Sequence, residues 1–404
     1  MKILVIQNGA RHNYAIPLGF ARAGVLSQTY TDFAVPSGIA DKLKQLKVVN
    51  SASHSALLRR TPPSIVAESM ATTSFTFALA QVLKKIARAS GKKYDADNIA
   101  RKLIERAMSA KGVGKATHVY TMLGEGGALV HAAQEMGLKI IGDVYIALSA
   151  DDIVAKEVQK FPDWVDEKTL QAARAEQTRS NKTLLDCSDL LICPSEFVRD
   201  DLVEHHGVAE ARTRVVPYAV DSKWWELETK PEVARVLFAG SATLRKGVHY
   251  LAKAATILGH PYKFRVAGGV SHEVRRHPDS KDLTFLGHLG QRKMAHEFAL
   301  ADVLAFPSLA EGSASVTAEA LGAGVPVVTT KSAGSIVRDG VDGIIVPERD
   351  PEALANAVRS IVEDRDKREA MSKEARRRAQ TFTWENFISN VVGLAKEIQE
   401  PEGK

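Results

Sequence analysis

Glu311 and Glu319 stand with seven residues between them, across a stretch patterned as strand, loop and helix. Residues 303–307 form a short apolar run, and Glu311-Gly312-Ser313-Ala314-Ser315 is a loop of small residues. Residues 316–321 then open a helix that Gly322 and Gly324 close. Small residues at a helix start let backbone N–H groups approach an anion, and the helix dipole favours negative charge there. Glu311 precedes that turn and Glu319 lies about two turns in, so the two carboxylates can meet hydroxyl groups on different parts of one ligand. The plain alternative is a capped helix carrying a solvated glutamate. The spacing, the small loop and the Gly-Val-Pro-Val-Val strand that follows favour binding.

A second group lies at residues 238–247, Phe-Ala-Gly-Ser-Ala-Thr-Leu-Arg-Lys-Gly, where Arg245 and Lys246 follow a strand-like run. Cations and amides fixed in place stabilise a leaving group as it gains negative charge. An exposed basic turn is the alternative.

The segment from Glu311 to Glu319 resembles the E-x7-E signature of retaining, nucleotide-sugar-dependent glycosyltransferases of family 4, which have the GT-B fold. The resemblance runs well from about residue 190 to 347 and only loosely before that. Family members carry G-R-x-x-x-x-K-G after the first strand of the second domain. Here Gly240, Lys246 and Gly247 match, Ser241 stands at the Arg position, and Arg245 offers a substitute cation. The resemblance implies that Glu319 binds the ribose hydroxyls of a donor. It assigns Glu311 to the hydroxyls of the donor sugar and to the positive charge at the anomeric carbon. Lys246 and Arg245 are then expected on the diphosphate, and the backbone of Gly312, Ser313, Ala314 and Ser315 on sugar and phosphate. Gly268, at the end of the second strand of this domain, and His288, at the end of the third, are expected around the base. His288 reads equally well as a loop histidine with no role.

Gly9, Arg11 and His12 follow the opening strand and are expected on the acceptor side, with a structural loop histidine as the other reading of His12. This stretch lacks the G-x-G-x-x-G spacing of a dinucleotide fingerprint, which argues against an oxidoreductase. Glu125 sits in a glycine-rich turn after another strand. Asp143 and Tyr145 are the polar groups where family members often place a sugar-contacting histidine. Ser195 reads as a helix N-cap.

The elements that must position these residues are alternating strands and helices, the pattern of parallel sheets with crossover helices. Strands are expected at 2–7, 117–122, 139–144, 190–193, 233–239, 263–267, 283–286, 303–307, 325–329 and 344–346. Helices are expected at 248–258, 291–300, 351–363 and 384–399. The fold class is therefore α/β, with two doubly wound Rossmann-like domains facing an interdomain cleft, where ligands meet the carboxyl ends of the strands. The expected limits are 1–222 for the acceptor side, 223–382 for the nucleotide-sugar side, and 383–404 for a helix returning to the first domain.

The chain has 404 residues, too many for one typical domain. Its 45% apolar and 25% charged composition is that of an ordinary globular protein. No run is long and apolar enough to span a bilayer, and no signal peptide precedes the opening strand, so a cytoplasmic protein is expected. Cys187 and Cys193 suit neither a disulfide framework nor a zinc site. Residues 41–115 hold 15 lysines and arginines against 5 acidic residues, a basic helical insertion in a chain of net charge +6. Lys84, Lys85 and Arg88, with Lys92 and Lys93, flank Phe75, Phe77, Leu79, Val82 and Leu83. That is the footprint of an anionic membrane surface, with a solvated helix face as the alternative. Nucleic acid is not expected.

Together these readings imply a retaining glycosyltransferase acting on a saccharide or glycolipid hydroxyl, with no cofactor and no metal beyond the donor itself. Bacterial polysaccharide, lipopolysaccharide or glycolipid synthesis is the family's commonest use, at the inner face of the membrane where the protein is peripheral. The alternatives are a nucleotide-sugar epimerase of the same fold and a non-catalytic, membrane-associated binding protein.

Overall fold

The computed structural model describes residues 1–45, 57–89, 93–174 and 182–399. Two wholly parallel sheets organise them. The first contains β1 (Ile3–Ile6), β2 (Leu26–Thr31), β3 (Met70–Thr72), β4 (His118–Met122), β5 (Lys139–Asp143), β6 (Leu190–Cys193) and β7 (Thr213–Val215), in the order β3-β2-β1-β4-β5-β6-β7. The second contains β8 (Arg235–Ala239), β9 (Lys263–Ala267), β10 (Leu283–Gly287), β11 (Val303–Phe306), β12 (Val327–Thr330) and β13 (Gly343–Val346), in the order β10-β9-β8-β11-β12-β13.

Parallel strands covered on both faces must be apolar throughout rather than alternating. Ile3, Leu4, Val5 and Ile6 are all buried, as are Val303, Leu304, Ala305 and Phe306. Register places Val5 beside Tyr120 and Leu304 beside Leu237. Strand order reverses between β1 and β4 and again between β8 and β11, and each reversal opens a crevice at the carboxyl ends of the strands. This is the GT-B architecture.

Three strands escape a sequence reading. β2 is Leu-Ser-Gln-Thr-Tyr-Thr, whose Thr29 and Thr31 are buried despite their hydroxyls. β7 is three residues long. β3 lies within the region expected to be a helical insertion and pairs with β2, so that region supplies a sheet edge. It also supplies the packed helices Ser74–Ala89 and Lys93–Ser109. Lys92 lies outside the described residues.

The boundary expected at 222/223 is crossed twice. The helix Trp384–Glu397 packs Phe387, Ile388, Val391 and Ala395 against Ile3, Val5, Ile16, Phe20 and Tyr120 of the first sheet. A Cβ placed on Gly19, in the helix Ala15–Arg22, would overlap Ile388, so the two helices are in direct backbone-to-side-chain contact there. In the opposite direction, the helix Ala150–Lys160 and the turn Pro162–Trp164 leave the first sheet. With the helix Glu167–Arg174 that follows, they place Val158, Trp164 and Leu170 in the apolar core of the second. Glu157 goes with them, and its carboxylate accepts from Tyr250 Oη (2.5 Å) and Arg349 Nε (2.9 Å) and lies 3.0 Å from His249 Nε2.

Candidate active site

Glu311 sits in the loop after β11, and Lys246 in the turn Leu244–Lys246 after β8, on the two sides of the strand-order reversal. The geometry joins them: Lys246 Nζ is 2.7 Å from Glu311 Oε1 and Arg245 Nη1 is 2.8 Å from Oε2. The hydroxyl of Ser308 adds a 3.3 Å contact to Oε1. A carboxylate with both oxygens held by cations is fixed in direction. Arg245 also donates to the carbonyl of Ala310 (2.7 Å), so its guanidinium orients Glu311 from behind.

A cavity of about 380 Å³ opens in front of this cluster. Gly240, Ser241, Lys246, Gly268, His288, Glu311, Ser313, Ala314, Ser315 and Glu319 all line it. Sequence reasoning missed Met294, which joins Leu289 in its apolar wall, since nothing in its spacing marks it. The ends of β8 and β9 approach closely because Gly268 has φ 147° and no Cβ, where a side chain would strike the carbonyl of Gly240. The helix Ser315–Gly322 begins at Ala314, which has no side-chain oxygen to cap it. In its first turn the N–H of Thr317 donates to the carbonyl of Ala314 (2.9 Å), while Ser315 and Val316 line the cavity with no side chain capping the helix.

Glu319, on that helix, also lines the cavity. Burial pushes its carboxyl up to about 7, against the pull of Lys223 and with the push of Asp221. It also borders a larger cavity of about 1070 Å³, lined by His12, Arg22, Lys223, Trp225, Trp384 and Ile388 among others.

Three residues expected on the donor do not line the cavity. Arg245 is spent on Glu311, and Gly247 packs against Pro307, whose carbonyl leaves no room for a Cβ. Gly312 is buried between the domains: its carbonyl accepts from Ser195 Oγ (2.6 Å), and a Cβ would overlap the carbonyl of Tyr145. Ser195 thus caps the helix Glu196–His206 and also latches the two halves of the chain together.

Across the cleft, Glu125 accepts from the backbone of Asn8 (2.8 Å) and from Arg11 Nε (3.1 Å). Burial pushes Glu125 up to about 7, against the opposing charge of Arg11. The Arg11 guanidinium lies 4.4 Å from the centre of the Tyr145 ring. The N–H of Gly9 donates to Asp32 Oδ1 (2.8 Å), which also pairs with Arg60 (3.0 Å); a lone aspartate after a polar strand gave no signal of this. His12, Asn13 and Tyr14 are successive left-handed residues, with φ 50°, 52° and 62°. The turn sets the His12 ring 4.5 Å from Tyr218 and 5.1 Å from Trp384. Burial, then the charge of Arg11, lowers His12 to about 4, which leaves it neutral at pH 7.

Asp143 departs from expectation. It is fully buried, and its oxygens accept from Tyr120 Oη (2.5 Å) and Tyr218 Oη (2.6 Å). It ties β5 to Tyr120 of β4 and to Tyr218 after β7. The cysteines are both unpaired and buried, with Cys187 Sγ 3.2 Å from His131 Nδ1.

Residues 222–378 match the model for glycosyl transferases group 1, and residues 161–224 match that for glycosyltransferase family 4. Over residues 222–378 the chain is similar to the group 1 glycosyltransferases. A D-inositol 3-phosphate glycosyltransferase from Corynebacterium urealyticum is 28% identical over 53% of this chain and 58% of its own length. The chain thus spans little more than half the length of the curated relatives it matches. Over nearly their whole lengths, two solved structures share its fold. Sucrose-phosphate synthase from Thermosynechococcus elongatus has a TM-score of 0.61 at 20% identity, covering 99% of each chain. Anabaena HepE, in complex with UDP and glucose, has a TM-score of 0.58 at 15% identity, covering 98% of this chain and 100% of its own.

Proposed function

We propose that this chain transfers a glycosyl group, with retention, from a nucleoside-diphosphate sugar to a hydroxyl of a saccharide or glycolipid. Bacterial polysaccharide, lipopolysaccharide or glycolipid synthesis is the setting, in the cytoplasm. The observation that carries this reading is one cavity at the β8/β11 crevice lined by Lys246, Glu311 and Glu319 together. The uncapped start of the helix Ser315–Gly322 lies beside Lys246, and a diphosphate placed there meets backbone N–H groups and an ammonium together. The sugar then falls against Glu311 and the ribose against Glu319.

As the glycosidic bond to the diphosphate breaks, negative charge grows on the leaving oxygens and positive charge on the anomeric carbon. Lys246 takes up the first, and in doing so loosens its hold on Glu311, whose carboxylate faces the second. The acceptor hydroxyl attacks on the face the diphosphate leaves, and a diphosphate oxygen receives its proton, so no protein base is needed. Arg11, Glu125 and Tyr145 lie across the cleft to position the acceptor, and His12 stays neutral beside them. Lys246 and the helix amides supply the positive charge, so turnover is expected to persist in a chelator such as EDTA.

Glu311→Ala tests the reading. Turnover of labelled donor should fall about 100-fold or more, while the protein still melts cooperatively and is still stabilised by UDP or another nucleoside diphosphate. Full turnover by that variant removes Glu311 from the mechanism. Product analysis of the unaltered protein decides the reaction class, because a transferase joins the label to the acceptor and an epimerase leaves it on the nucleotide.

A further inference from the structure

The helix Ser74–Ala89 presents its apolar stripe outward. Phe75 is 85% exposed, Leu79 45%, Val82 54%, Leu83 37% and Ile86 61%. At about 100° per residue these five positions fall within roughly a quarter to a third of the helix circumference, so they form one continuous face. A scattered exposed leucine needs no explanation, but five large apolar side chains on one face do. The opposite face is the one the fold uses. Phe77 stacks on Phe33 with ring centres 5.6 Å apart, Arg60 lies 5.5 Å from the Phe77 ring, and Ala80 is buried.

Charge accompanies the stripe. Lys85 is exposed at its edge, one turn from Val82. On the neighbouring helix Lys93–Ser109, Ile99 is exposed, with Lys102 and Arg106 exposed at helical spacing from it. Residues 41–115 carry an excess of ten positive charges, while the whole chain carries only +6, so the rest of the protein is net acidic. The surplus lies in the stretch of chain that also supplies the exposed apolar face.

We propose that the helix Ser74–Ala89 lies in the plane of an anionic membrane, its Phe75, Leu79, Val82, Leu83 and Ile86 face at the acyl boundary and Lys85, Lys102 and Arg106 at the headgroups. An apolar face ringed by basic residues binds such a surface by burial and by attraction together. Sixteen residues make a helix of about 24 Å, short of the roughly 30 Å hydrocarbon core, so it rests on the bilayer without crossing it. Among the described residues no helix is long and apolar enough to cross a membrane. The buried side of this helix reaches the cleft: Phe77 contacts Arg60, Arg60 pairs with Asp32, and Asp32 holds the N–H of Gly9. On the transferase reading, with which this part stands or falls, the acceptor loop after β1 is therefore buttressed by the membrane-bound element, and the acceptor is amphiphilic.

Co-sedimentation of the full chain with vesicles decides the matter. Vesicles of phosphatidylglycerol and phosphatidylcholine should carry the protein down, and phosphatidylcholine vesicles should carry about ten-fold less. The triple variant Phe75→Ser, Val82→Ser, Ile86→Ser should lose about ten-fold in partition to the anionic vesicles. Lys85→Glu with Lys102→Glu should lose binding at low salt. Sedimentation of the triple variant at the unaltered level overturns the proposal, as does failure of the unaltered protein to bind either vesicle. A lipid-free dimer that the triple variant abolishes, without vesicle binding, assigns the stripe to a second copy and overturns it too. Stabilisation by UDP, measured on the same samples, reports the donor site separately: its loss with vesicle binding intact counts against the transferase reading alone.

Discussion

Glu319 is the residue whose charge the fold resists. Folding raises its carboxyl from the ordinary 4.5 to about 7, so the native state holds the proton more tightly than the unfolded chain. Stability contributed at low pH is therefore lost as pH climbs from about 4.5 through 7. Glu319→Gln should stabilise the ligand-free protein at pH 8 by about 2 kcal/mol after allowance for solvent screening, and change little at pH 4, as thermal melts at the two pH values would show. The spacing of the two glutamates about a small-residue loop marked them in the sequence, and both line the cavity. Asp143 was not so marked, because nothing in its spacing distinguishes a carboxylate facing a ligand from one accepting two tyrosine hydroxyls. Asp143→Ala should leave Tyr120 and Tyr218 without their acceptor and destabilise the protein by about 2–4 kcal/mol in denaturant titration, with no change in the pH dependence of turnover.

Elements were legible in proportion to their apolar continuity. β6 and β9 stand at the residues the apolar runs indicated, as do the helices Val248–Leu258 and Gln291–Leu300. β2, β3 and β7 were not, because short or hydroxyl-rich segments become strands through their neighbours' hydrogen bonds rather than their own pattern. The return of the helix Trp384–Glu397 rests on a contact that sequence could not specify, the fit of Ile388 against Gly19. Gly19→Ala should cost about 1–3 kcal/mol by forcing the two helices apart. Ile388→Ala in the same chain should return part of that loss, a coupling that a double-mutant cycle in urea measures directly.

Across the whole molecule, the clasp at Glu157 joins the halves far along the chain from either glutamate of the cavity. Burial alone would raise Glu157, but His249, Tyr250 and Arg349 outweigh it and hold the carboxyl down at about 2. Its contribution is complete above about 4.5 and is lost as pH falls from there through 2. Glu157→Ala leaves those donors without their carboxylate and should cost about 3 kcal/mol, with proteolytic nicking between residues 160 and 174 as the visible sign. Because Val158, Trp164 and Leu170 complete the apolar interior around the second sheet, a chimera that recombines donor specificities by exchanging everything after residue 222 would inherit a foreign lining for that interior. Hybrids that move residues 150–174 together with the donor half keep the seam intact.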